Sequence, residues 1–358
     1  MALDFVTAEE VIRAARRRLH QGAWDYLVGG SETETTFRRN RMAFDKIAFR
    51  PKVLVDVTEL DPSATLLGHK LRIPVLLAPI GSLQEFTPEG AIASSQAAHE
   101  FDIVHVVSSA TQPALEETAA CSPSPKIFQL YIRGDWAWVQ DMVARIKAAG
   151  YKALTITVDT AVISRRERPM LTRWVQPTRR VGWDNRHSAS VTWDTVDKIK
   201  AIWGGPMLLK GVARADDAVR AVEHGIDVVW VSNHGGRQLD HGLGAMDTLP
   251  EIVQAVAGRA QIMVDGGVNR GSDVLKALAL GANAVAVGRL QGYGLAAGGK
   301  DGLLKVLEIL EEEIYSAMGL LGVTKMADLT PDFVCKTDVV APSHEMSAWP
   351  NMPEVRIR

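Results

Sequence analysis

Cysteine is nearly absent: the 358 residues hold two, Cys121 and Cys335, with no metal-ligand spacing between them. That excludes a disulfide framework and a zinc ribbon, and it is the usage of a reducing compartment, so the sequence predicts a cytoplasmic protein. No apolar stretch reaches the roughly 20 residues that a membrane-spanning helix needs. The opening "MALDFVTAEEVIRAARRRLHQ" mixes charges into a helical period and lacks the apolar run of a signal peptide. Neither sign of charge is in excess. Forty Lys and Arg stand against 42 Asp and Glu, for a net charge of -2, so nothing in the bulk electrostatics asks for nucleic acid or an anionic membrane. With 47% hydrophobic and 23% charged residues, what remains is a globular composition able to bury a large core.

From about residue 73 the chain alternates between short β-branched runs and longer helical patterns, as parallel strands joined by crossover helices do. The strand candidates cover 73–80, 103–109, 126–132, 153–160, 206–212, 227–235, 261–267 and 284–289. Eight such units predict a closed (β/α)8 TIM barrel, of class α/β, over 73–329, with an open doubly wound sheet as the alternative. Residues 1–72 are expected to form an N-terminal helical extension covering the barrel. Residues 330–358 are expected to form a C-terminal tail, frayed or wrapped over a neighbouring subunit. One strand-to-helix connection, 161–192, is long and rich in Arg and Trp, which marks it as a lid or binding loop.

Side chains two apart along a strand share a face. Thr155, Thr157 and Asp159 therefore look one way, Gln129 and Tyr131 another strand's same way, Ser232 and His234 likewise, and Lys210 ends its strand. A strand-end His or Lys alone is more often a satisfied structural group. Here Tyr131, Asp159, Lys210, His234 and Arg237 converge from four strand ends on one barrel mouth, the face where barrel enzymes work. The loops "VDGGVNRGSD" and "VGRLQGYG" follow strands seven and eight, where barrels often bind phosphate; Gly266, Gly267, Arg270 and Arg289 are its candidates, against a reading as ordinary tight turns.

The strings "SNHGGRQLD", "LLKGV", "FQLYI", "TVDT", "RRE", "LAP", "DGG" and "ALALGANAVAVGR" resemble the FMN-dependent 2-hydroxy-acid oxidases and dehydrogenases, such as glycolate oxidase, lactate oxidase and mandelate dehydrogenase, over about residues 7–330. The resemblance implies that His234 is the base that takes a substrate proton, with Asp159 orienting its ring and favouring the imidazolium. It implies that Arg237 and Arg166 bind the substrate carboxylate, that Tyr26 contacts substrate, and that Tyr131 hydrogen-bonds the reacting hydroxyl. Lys210 would stand beside the flavin N1 and C2 carbonyl. Ala78, Pro79, Ile80, Ser108, Gln129, Thr157 and Ser232 would lie near the ring and ribityl chain; Asp265, Gly267, Gly288 and Arg289 would hold the phosphate end. The cofactor is then FMN, the acceptor oxygen or a quinone or carrier protein, and the assembly a homotetramer.

Four departures bear on substrate and acceptor. Ala110 stands where glycolate oxidase has Trp, which opens the pocket to a bulky, mandelate-like side chain. The segment 167–192 is short for the family, implying a less covered site. Gly81 replaces the Ala of many oxidases and leaves space beside the flavin, so reaction with oxygen is in question. Asn269 followed by Arg270 replaces the usual Arg, which weakens one phosphate contact or moves it to the neighbour. From a different class, a barrel lyase or aldolase would use Lys210 as a Schiff-base amine.

Overall fold

The computed structural model of the chain describes residues 4–176 and 185–339. Eight parallel strands, Val75–Leu77, Val104–Ser108, Lys126–Leu130, Ala153–Thr157, Met207–Val212, Val228–Val231, Gln261–Asp265 and Ala284–Val287, pair in sequence order and close the eighth onto the first. This is the TIM barrel that the alternation predicts. Strand parity divides the core in two. Leu76, Val106, Ile127, Ala153, Leu208, Trp230, Met263 and Ala286 fill the interior, while their neighbours Leu77, Val107, Phe128, Leu154, Leu209, Val231 and Val264 pack outward against the helices. Among the described residues no helix is long and apolar enough to cross a membrane.

The N-terminal extension is not helical throughout. Helices Ala8–Arg18, Gln21–Val28 and Thr35–Asp45 are followed by strand Ile47–Phe49 and a hairpin, Ala64–Leu66 with His69–Leu71. Its two-residue loop places Leu67 and Gly68 both at positive φ, 49° and 77°, the requirement of a type I′ turn. The hairpin buries Leu66 and Leu71 with the interior side chains, plugging the end of the barrel opposite the catalytic mouth. At the other terminus Val334–Lys336 pairs antiparallel with Ile47–Phe49; the rest of the expected tail, 340–358, lies outside the described residues.

Within the long connection, Glu167–Leu171 and Asn185–Ala189 form short helices; residues 177–184 lie outside the described residues.

Candidate active site

The sixth strand ends at Val231, and the chain then makes a tight turn over His234–Gly236. His234, Gly235 and Gly236 all have left-handed backbones, with φ of 59°, 63° and 73°. For the histidine this conformation costs about 1–2 kcal/mol. Hydrogen bonds hold the turn: the His234 backbone N–H donates to Ser232 Oγ (3.0 Å), and the Gly236 N–H to Asn233 Oδ1 (3.0 Å). Asn233 is fixed in turn by reciprocal amide bonds to Asn40 at 2.9 and 2.7 Å. A Cβ on Gly236 would sit 2.5 Å from Phe37 Cα, so only glycine lets helix Thr35–Asp45 lie against the turn.

This conformation points the imidazole into the mouth. His234 Nδ1 lies 2.9 Å from Asp159 Oδ1, and Nε2 faces the Tyr131 hydroxyl at a longer 3.4 Å. Burial lowers the His234 pKa below the ordinary value and outweighs the opposing pull of Asp159, helped by the Lys210 and Arg166 cations. Burial would raise the Asp159 carboxyl, but the facing His234, its hydrogen bond and Lys210 hold it lower. The pair at neutral pH is therefore a neutral imidazole donating Nδ1–H to a carboxylate, with Nε2 bare toward the cleft. Asp159 favours the imidazolium, as expected, but in the resting site the cost of burial outweighs it. Burial also pushes the Tyr131 hydroxyl up to about 12, leaving it a donor at any working pH.

Arg166, Arg237, Tyr26, Tyr131 and His234 line one cleft. Arg237 donates to the Gly29 carbonyl (2.7 Å) and its guanidinium lies 5.0 Å from the centre of the Tyr26 ring. Arg166 donates to the Arg237 carbonyl (3.2 Å) and to Gln238 Oε1 (3.2 Å). The Tyr26 hydroxyl donates to the Gly81 carbonyl at 2.8 Å. Two guanidiniums, a phenol and a neutral imidazole facing one space can fix a planar carboxylate and take a proton from the atom beside it.

Deeper in the mouth Lys210 forms an ion pair with Asp265 (3.2 Å) and donates to Ser232 Oγ (3.0 Å), which donates to Asp265 Oδ1 (2.7 Å). Burial would lower the Lys210 pKa, but Asp265 and Asp159 reverse the sign and hold it raised. A permanently charged ammonium is the opposite of what a Schiff-base nucleophile needs, which counts against the lyase alternative.

The same region passes a test for a planar polar cofactor. Gln129 Nε2 and Thr157 Oγ1 are buried without a hydrogen-bond partner, although Gln129 accepts from Ser108 Oγ at 2.7 Å. Buried orphans of this kind are rare and ask for a ligand. At the far end Arg289, its pKa lowered to about 10 by burial, donates to the carbonyls of Gly29 and Gly235, each at 3.0 Å. A buried cation beside Gly288, where an added Cβ would meet nothing, suits a phosphate.

Ala78, Pro79, Ile80, Gly81, Lys210, Asp265, Gly266, Gly267, Asn269, Gly288 and Arg289 all line the cleft. Ser108, Gln129, Thr157, Asp159 and Ser232 are not in its lining. Arg270 is placed elsewhere: as residue before helix Gly271–Ala279 it pairs with Glu313 at 2.7 Å. Gly266 and Gly267, at φ 100° and 90°, give way to Asn40: a Cβ on Gly267 would lie 2.6 Å from the Asn40 carbonyl oxygen. Helix Thr35–Asp45 is thus what sequence reasoning missed. Its Arg41 lines the cleft, donates to the Gly267 carbonyl (2.7 Å) and forks onto Asp273 at 2.6 and 2.7 Å.

Comparison with known proteins agrees with this geometry. A family model described as FMN-dependent dehydrogenase matches residues 15–336. An L-lactate oxidase of Nostoc is 38% identical over 91% of this chain and 96% of its own; a peroxisomal (S)-2-hydroxy-acid oxidase of Oryza sativa is 38% identical over 92% and 95%. Among solved structures, a mandelate oxidase superposes with a TM-score of 0.88 at 36% identity, covering 94% of this chain and all of its own. With the barrel, the buried cations at its mouth and these relatives taken together, the chain belongs to the FMN-dependent dehydrogenase family, among the members that oxidise 2-hydroxy acids.

Proposed function

We propose that the chain oxidises (S)-2-hydroxy acids with a bulky, mandelate-like side chain to 2-oxo acids, as a cytoplasmic homotetramer. The observation that carries the reading is His234, held by Asp159 at 2.9 Å and lining one cleft with two guanidiniums. Arg237 and Arg166 hold the substrate carboxylate. Tyr131 donates to the reacting hydroxyl or its oxygen, and Tyr26 contacts the same end of the substrate. His234 Nε2, bare and neutral, takes the proton, and the Asp159 carboxylate stabilises the imidazolium as it forms. Bound FMN would supply the acceptor for the two electrons and the second proton that the substrate loses on becoming a 2-oxo acid. Lys210, Gln129, Ser108, Thr157, Ser232 and the backbone of Ala78–Ile80 would hold its ring and ribityl chain. Asp265, Gly267, Asn269, Gly288 and Arg289 would hold its phosphate end.

Room for a large side chain is supported by Ala110, a small residue that lines the cleft beside Gly81. Mandelate oxidase and an active chimera of (S)-mandelate dehydrogenase, the latter 33% identical with a TM-score of 0.88, share the fold with this chain. The test is an anaerobic absorbance titration with (S)-mandelate and (S)-lactate, followed by air. Bleaching at lower mandelate concentration supports the bulky-substrate reading, and preference for lactate overturns it. Fast return of colour in air identifies oxygen as acceptor, and slow return a quinone or carrier protein. Light scattering at four times the chain mass checks the assembly.

A further inference from the structure

The described part of the long connection reaches the cleft. Past helix Glu167–Leu171 it lays Trp174 over the N-terminal extension, and Gln176 lines the cleft itself. Two contacts tie the segment down. Arg168 forks onto Glu34, with Nε to Oε1 at 2.6 Å, and Glu34, left-handed at φ 61°, also accepts the Gly30 N–H at 2.9 Å. The second contact is Trp174, whose ring lies against Gly22 so closely that a Cβ there would meet ring and Cβ atoms at 2.4–2.6 Å. Gly22 is inside helix Gln21–Val28, where glycine is otherwise the poorer helix former. Its presence is explained by the indole resting on it.

The same indole reaches Tyr26, one turn further along that helix, with ring centroids 5.4 Å apart and planes at 41°. Phe86 stacks on Tyr26 at 6.1 Å and 25°, and Arg237 caps it at 5.0 Å. Phe86 and Arg237 belong to the barrel loops; Trp174 alone of these three comes from the lid segment. We infer that Trp174 is a positioning residue: seated on Gly22, it closes the cage around the Tyr26 ring and so fixes the phenol where substrate meets it. The inference rests on the reading of Tyr26 as a substrate contact. It gives the lid a defined task, since aromatic pairs in such geometry add to the area they bury.

The experiment compares W174L, W174F, G22A and Y26F as FMN-loaded enzymes, by KM and kcat for the preferred 2-hydroxy acid. W174L is expected to raise KM about threefold to tenfold, the range of one aromatic pair, with kcat changed by less than about twofold. W174F, which keeps a ring, restores most of the affinity. G22A drives the indole off from below and is expected to reproduce the W174L effect, with the overpacking against Trp174 offset in part by alanine's preference for the helix. In the Y26F background W174L is expected to add nothing, since the hydroxyl whose position it sets is gone. A normal KM in both W174L and G22A, beside a raised KM in Y26F, overturns the inference alone. A W174L effect that persists undiminished in Y26F also overturns it, because Trp174 then acts without Tyr26. An unchanged KM in Y26F overturns the substrate reading of Tyr26 together with the inference.

Discussion

Replacing Asp159 with Asn tests the catalytic assignment most directly, because it removes a charge and leaves the shape. In the structure the carboxylate faces a mostly buried imidazole at 2.9 Å, with side-chain exposures of 13% and 16%, so solvent screens the pair only in part. As the proton arrives at Nε2, the ring becomes a cation beside that carboxylate. Two charges about 4 Å apart at an effective dielectric of about 20 attract by about 4 kcal/mol, and a hydrogen bond to a charged group contributes about 1.5–3 kcal/mol. At about 1.36 kcal/mol per decade, the rate of substrate-driven flavin reduction should fall between about 10-fold and about 1000-fold. The amide also presents an N–H where an acceptor stood, so it offers Nδ1 the wrong tautomer unless it flips. Stopped-flow absorbance under anaerobic, substrate-saturated conditions measures the step apart from reoxidation. A reduction rate within about threefold of the parent would refute the role, since no geometry with this pair intact is consistent with so small a loss.

Other perturbations separate the remaining parts of the reading. His234 must be neutral to accept a proton and its pKa is depressed by burial, so kcat/KM should hold constant down through about pH 6.5 and fall tenfold per unit only below it; an acid limb above 6.5 contradicts the neutral pair. His234→Ala should retain FMN, seen as the bound flavin spectrum, yet lose reduction by substrate, and near-normal reduction removes His234 from the mechanism. Ala110→Trp fills the space beside Gly81 and should cut kcat/KM for mandelate relative to lactate by about tenfold or more, whereas an unchanged ratio places the side chain elsewhere. Arg41→Leu leaves the buried Asp273, whose side chain is 2% exposed, without its cation. The expected loss is about 3–5 kcal/mol in urea unfolding of the FMN-free protein, and a loss below about 1 kcal/mol means the fork holds nothing together.

How much of this was legible beforehand follows from which contacts are periodic. Strand count and the barrel follow from the alternation of strand and helix patterns, and the inward set Thr155, Thr157, Gln129, Ser232 and Lys210 from spacing by two; a sequence displays both directly. Arg270 and Arg289 look equivalent in their loops, yet one turns outward to Glu313 and the other into the cleft, because the difference depends on the final helical stretch, Arg289–Leu321, which breaks at Gly298 and Gly299 and carries Glu313 in its second part. The plugging hairpin had a local signal in Gly68 but too few residues to show alternation. The role of helix Thr35–Asp45 was the largest loss: the helical extension is predicted there, but its partners Asn233, Asp240, Gly267 and Asp273 arrive from about 200 residues away.

That lost helix changes what the site is. The left-handed turn that aims His234 is held by Asn233, Asn233 by Asn40, and Gly236 of the turn lets Phe37 approach. Asp240, four residues past Gly236, accepts the Thr36 N–H at 2.8 Å and the Thr33 hydroxyl at 2.8 Å, with its pKa driven far below the ordinary carboxylate range by those donors against the cost of burial. His234 therefore sits in a strained conformation fixed from outside the barrel, by a segment that also supplies Tyr26 and Glu34, the partner of Arg168. Strain at a functional residue persists only where its surroundings over-determine it. Here the barrel provides the chemistry-bearing strand ends, and the N-terminal extension holds the imidazole, the phenol and the lid in the positions that let them act together.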